Sequence, residues 1–125
     1  GSAEYMGWRG VANSGLVALD TARGCNVQAA SAKGASASAN LDVMETGAGF
    51  QPLPWSYELS MLGVDQLVNA AGMPALITYG SAIGRGTTFA TAFQQAFNTS
   101  TTSFYSGFPA YRSSLAGLSS TACGT

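Results

Sequence analysis

Apolar residues recur at helical spacing through most of the chain, and glycine, proline or hydroxyl clusters interrupt them at short intervals. Over 56–71, Tyr57, Met61, Val64 and Val68 fall at i, i+4, i+7 and i+11, which predicts a helix with one apolar face. Gly72 follows as a left-handed stop. Pro74 stands where a new helix starts, with Ala75, Leu76, Tyr79 and Ile83 on its apolar side. Gly84-Arg85-Gly86 ends that helix. Thr87 or Thr88 caps the next, in which Phe89, Phe93 and Phe97 recur every four residues beside Ala92 and Ala96. Asn98-Thr99-Ser100 reads as a turn and cap, and it also fits an N-glycosylation acceptor. A last helix carries Phe104, Phe108, Tyr111 and Leu115. The expected core turns Phe89, Phe93 and Phe97 inward with Tyr57, Met61, Val64 and Phe104.

The opening segment reads the same way. Tyr5, Trp8 and Ala12 at i, i+3 and i+7 predict an amphipathic helix, interrupted at Asn13-Ser14-Gly15 and ended by Arg23-Gly24. Residues 24–54 are the least helical. Ser31 to Asn40 is a low-complexity run of small residues, either a flexible loop or a surface against which another chain can pack closely. Leu41 and Val43 allow a short strand. Gly47 to Trp55 is an extended lead-in, because the residue before each proline is pushed out of the helical region, and Trp55 is expected as a lid on the helices. Residues 116–125 form a polar tail that Cys123 can anchor. The predicted fold is mainly α: a compact bundle of about five short helices with one irregular, loop-rich segment (24–54), in a single helical domain over 1–125.

Charge alters this picture. Only 9% of residues are charged and 46% are hydrophobic, where about a quarter charged is usual. Ala, Gly, Ser and Thr fill the deficit, so the surface is neutral and little repulsion keeps copies apart. Arg9, Arg23, Lys33, Arg85 and Arg112 are scattered and the net charge is −1, which gives no footprint for nucleic acid. No apolar run approaches the roughly 18 residues of a membrane span. In a cytosolic protein Cys25 and Cys123 would be core thiols. So little Lys and Glu suits a secreted protein, where the two are expected to form one disulfide.

There is no histidine, which removes HExxH, Ser-His-Asp and Cys-His arrangements together. Two distant cysteines do not build a structural zinc site. No catalytic residue, metal ligand or cofactor is therefore assigned within the chain. Asp42 and Glu45 are three residues apart but in a segment not read as helix, so paired-acid chemistry has no local support. Gly47-Ala48-Gly49 and Gly84-Arg85-Gly86 read as turns rather than phosphate loops.

Taken as a set, residues 54–115 resemble the C-terminal helical half of gluzincin-type zinc metallopeptidases, the thermolysin-like and peptidase-MA-like families. There a helix opening with Tyr, a G-x-x-x-L helix, a G-x-(S/T)-F-x-x-A-F-x-x-A-F helix and an aromatic helix ending in Y-R/L succeed one another. Here the third reads Gly86-Thr87-Thr88-Phe89-Ala90-Thr91-Ala92-Phe93-Gln94-Gln95-Ala96-Phe97. Gly1-Ser2-Ala3-Glu4-Tyr5 matches the residues after the third zinc ligand in the family's E-G-x-A-E-Y motif. The resemblance covers about half of the chain. It implies a ligand Glu immediately before Gly1, Glu4 as the carboxylate that steadies a zinc-bound His, and Tyr57 as a donor to the tetrahedral oxyanion. From the residues alone, Glu4 is a solvated carboxylate at a helix N-terminus and Tyr57 a core or capping residue.

Two functions are expected. One is a secreted, non-catalytic helical module resembling the C-terminal subdomain of a gluzincin peptidase, which hydrolyses peptides only when an upstream HExxH segment brings the zinc. The other is a structural subunit of an extracellular assembly, a filament or surface layer formed by self-association. On either, Tyr5 and Trp8 are interface candidates, covered by a preceding segment or by a second copy.

Overall fold

A computed structural model of the chain describes residues 2–45, 52–118 and 123. Among them the architecture is all-helical and no strand occurs: α1 (Ser2–Asn13), α2 (Leu19–Ala32), a 3-10 turn (Asp42–Met44), α3 (Ser56–Ala71), α4 (Met73–Gly84), α5 (Phe89–Phe97) and α6 (Thr101–Ser114). Gly1, most of the expected lead-in (46–51) and the tail residues 119–122 and 124–125 lie outside the described residues.

α3 is the helix the others meet, since α1, α2, α4 and α6 all pack on it. It buries more than the one face its spacing suggests: Leu59, Met61, Leu62, Asp65 and Val68 are all buried. Tyr57 is not part of this core. It stands 58% exposed in the first turn, so the expectation that it points inward is corrected. Tyr5 of α1 is corrected in the other direction. It is fully buried, with its hydroxyl accepting from Arg9 at 3.2 Å, while Trp8 is half-buried against the same cluster. α1 lies against α3 and α2, which cover the aromatic expected to need a partner.

Helix ends fall at the expected punctuation, although Thr88 precedes α5 without a side-chain cap bond and Gly72, at φ 86° and ψ 161°, is extended rather than left-handed helical. Lys33 and Gly34 close α2 in a Schellman motif: Gly34 has φ +94°, and the Ala35 amide reaches back to the Ala30 carbonyl at 3.0 Å. Gly86, at φ +89°, closes α4 likewise through the Thr87 amide and Ala82 carbonyl. Ser100 caps α6 by accepting from the Ser103 amide at 3.1 Å.

The irregular segment is shorter than 24–54, because α2 runs on to Ala32. Its buried positions are Ala22, Gly24, Asn26 and Ala30. Such small residues give a weak apolar periodicity, yet they let α2 lie close along α3. Leu41 and Val43 are not in a strand; Leu41 precedes the 3-10 turn and presses onto Gly63 of α3. A β-carbon on Gly63 would stand 2.6 Å from Leu41 Cδ1. Cys25 of α2 is bonded to Cys123, with Cα atoms 5.4 Å apart across a sequence separation of 98.

Three polar ties hold α6 in place. Pro109 sits inside the helix and has no amide to give the Tyr105 carbonyl. Asn40 Nδ2 donates to that carbonyl instead, at 2.8 Å. Arg112 is buried and donates to the Ser36 carbonyl at 2.6 Å, tying the middle of the small-residue run to the helix. Burial lowers the affinity of its guanidinium for the proton. Third, the Tyr111 hydroxyl donates to Asp65, a carboxylate on α3 that is 1% exposed. Arg23 of α2 also grips Asp65, through Nε at 2.8 Å and Nη2 at 3.1 Å, and extends to Asp20 at 2.7 Å. α2, α3 and α6 thus share one buried charge. Burial and then Asp65 push the Tyr111 phenol above its ordinary range, whereas Arg23 is held protonated chiefly by Asp65.

Candidate functional site

The phenylalanine repeat does not simply fill a core. Phe93 and Phe97 are buried, but Phe89 is 42% exposed, which corrects its expected inward place. The reason is a groove of about 320 Å³ that the helices leave open, with Phe89 in its wall. α3 contributes Gly63, Val64 and Leu67; α4 contributes Leu76 and Tyr79; α6 contributes Phe104 and Tyr105. The rings are in mutual contact. Phe93 lies 4.9 Å from Phe97 and 5.4 Å from Phe104 between centroids, and Tyr79 lies 5.6 Å from Phe97. Such rings dominate the apolar contact area of a site, and Tyr79 meets Phe89 and Phe93 edge to face. Burial raises the proton affinity of the Tyr79 phenol.

One rim is polar. The 3-10 turn brings Met44 and Glu45 to the groove, and the Tyr105 hydroxyl donates to Glu45 Oε1 at 2.9 Å. Burial, and then this bond, push the Tyr105 phenol well above its ordinary range. Glu45 and Tyr105 also line an adjoining recess with Asn40, Asp42 and Ser106. Asp42 and Glu45, a pair set aside because their segment does not read as helix, are brought to one edge by the 3-10 turn. The signal that could have found this edge is Pro109: an internal proline frees a carbonyl four residues earlier, Tyr105, and calls for a donor such as Asn40.

Glu4 is exposed in the first turn of α1, beside a shallow depression with Gly7, Trp8 and Val11. Tyr57 is exposed at the start of α3 and lines neither that depression nor the groove. The structure therefore does not bring the two into one pocket. Ser2 does lie on the groove wall. Cys25 and Cys123 are joined and serve as a tether. Among the described residues no group of three His, Cys, Asp or Glu side chains could hold a metal ion, and no helix is long and apolar enough to cross a membrane.

Comparison with protein-family models, curated proteins and solved structures found no match to this chain.

Proposed function

We propose that the chain is a secreted, non-catalytic helical module of the kind that completes a gluzincin-type zinc metallopeptidase, with the aromatic groove as part of its substrate cleft. The observation that carries the reading is the position of Ser2 on the groove wall. In the resembling motif the third zinc ligand stands immediately before Gly1, so the groove and the ligand position adjoin along the chain. The succession of α3 to α6, with glycine stops and the Phe89, Phe93 and Phe97 repeat, supports it further. Glu4 is accessible in the first turn of α1, whereas Tyr57 lies outside the groove and lends no support to an oxyanion role there. A zinc ion does not fit this chain's own donors: there is no histidine, and among the described residues no ligand cluster. Hydrolysis would belong to an HExxH segment outside these residues, while this module binds and walls the substrate. The mass of the native product tests this. A polypeptide larger than 12.7 kDa that yields an HExxH peptide is expected, and a mature 12.7 kDa product overturns the reading.

A second reading, the structural subunit of an extracellular assembly, is favoured by α4. Met73–Gly84 carries no charged residue, and Ile77 is 65% exposed on it. An uncharged apolar helix face suits contact between copies. Sedimentation velocity across micromolar concentrations would then show growth with concentration, and a constant monomer would end this alternative.

A further inference from the structure

We propose that the groove bordered by α3, α4 and α5 is a binding site for a small organic ammonium ion carrying an aromatic or short alkyl body. The proposal stands on the groove alone and goes beyond the peptidase reading, so either can fail without the other. The volume of about 320 Å³ is at the small end of ligand sites. That is room for one ring and a short chain, and the interior offers them the faces and edges of Tyr79, Phe89, Phe93 and Phe104.

The rim decides the charge of the ligand. Glu45 stands at the groove, and Asp42 lies with it in the adjoining recess. Among the described residues neither carboxylate is in an ion pair. Four of the five basic side chains are engaged elsewhere: Arg9 with Tyr5, Arg23 with Asp20 and Asp65, Lys33 with Glu58, and Arg112 with backbone carbonyls. Glu45 is met instead by a neutral donor, the phenol of Tyr105. Two carboxylates that make no ion pair among the described residues, beside clustered aromatic rings, repel an anion and favour an ammonium group, which also gains from the ring faces. An uncharged ligand would use the floor and leave the rim unused. A carboxylate-bearing ligand of the same shape would meet like charge.

The test is a calorimetric or NMR titration of the chain with 4-phenylbutylammonium, 4-phenylbutanol and 4-phenylbutyrate, which share one body and differ in the head. The ammonium ion should bind about fivefold or more tighter than the carboxylate, the size expected from two partly exposed charge contacts. The double variant Glu45→Gln/Asp42→Asn should bring that ratio close to one and leave the alcohol unchanged. Gln keeps an oxygen for the Tyr105 hydroxyl, and Asn keeps one for the Val43 amide that Asp42 accepts at 3.0 Å. Ser60→Trp, placed in the groove wall, should abolish saturable binding of all three while circular dichroism stays native. Absence of saturable binding, a carboxylate that binds as well as the amine, or a preference that survives the double variant overturns the proposal. Should the tryptophan variant not fold, the ratio in the double variant still decides.

Discussion

Replacing Arg23 with Met should destabilise the fold more than replacing Asp65 with Leu, and the two changes together should cost less than Arg23→Met alone. Asp65 is 1% exposed and Arg23 18%. Losing Arg23 strands a buried carboxylate whose remaining partner is the Tyr111 hydroxyl. Breaking a buried pair from one side costs about 3–5 kcal/mol. The contact to Asp20 adds little, because Asp20 is 67% exposed and surface pairs are weak. Losing Asp65 is milder. Arg23 still reaches Asp20 and solvent, and the main loss is an unpaired Tyr111 hydroxyl, about 1–3 kcal/mol. In the double variant two apolar side chains fill the space and no charge is stranded, so the cost should fall to about 1–2 kcal/mol. The coupling is then at least about 2 kcal/mol. Reversible urea denaturation at neutral pH, followed by circular dichroism with the disulfide intact, measures all four corners. Costs that add to within about 0.5 kcal/mol, or an Asp65→Leu loss exceeding that of Arg23→Met, would refute the reasoning.

Phe93→Ala should cost about 3–5 kcal/mol because the ring is buried, and the half-exposed Phe89→Ala much less; equal losses in denaturation would mean the groove is closed. Thiol titration of the denatured chain should find no free cysteine, and reduction should remove about 4–5 kcal/mol for a loop this long, read as a lower urea midpoint. Asn40→Ala should cost about 1–3 kcal/mol by orphaning the Tyr105 carbonyl, and less in a Pro109→Ala background, where residue 109 regains an amide. Tyr79, Tyr105 and Tyr111 all have raised proton affinity in the fold. In the unfolded chain they lose protons near the ordinary phenol value of about 10, while the folded chain keeps them. Their contribution is thus whole below that value and is lost as pH climbs past it, so melting temperatures should fall above about pH 10; a flat profile to pH 11 would count against it.

The helices from Ser56 to Ser114 were legible because glycine, proline and threonine mark their ends and large apolar residues mark their faces. α2 was harder to read beyond Gly24, because Ala22, Gly24 and Ala30 pack by being small, and small residues leave faint periodicity. Spacing also treated all apolar residues alike. Tyr57 and Phe89 obey the helical period and still face outward, because the period gives an angle on the helix and not what lies opposite it. The buried grip of Arg23 and Tyr111 on Asp65 spans three helices and leaves no local trace. The groove is similarly a gap among several elements. Its acidic edge depends on a 3-10 turn of three residues, shorter than the periodic signal of a longer helix.

The bond from Cys25 to Cys123 makes everything between them a closed covalent ring, with α1 outside it. A protease that cuts the ring once, after Lys33, Arg85 or Arg112 for example, opens it without separating anything. The product gains only a water in mass, and its new ends stay tethered at high local concentration, free to dock again. Such nicks would show on a gel only after reduction. A cut in the exposed link 14–18 is of another kind, because nothing covalent holds α1 beyond it. Since α1 carries the fully buried Tyr5, the fragment that leaves takes a plug out of the core. A single scission in that short link therefore frees a buried aromatic, where a cut inside the ring leaves every helix tethered.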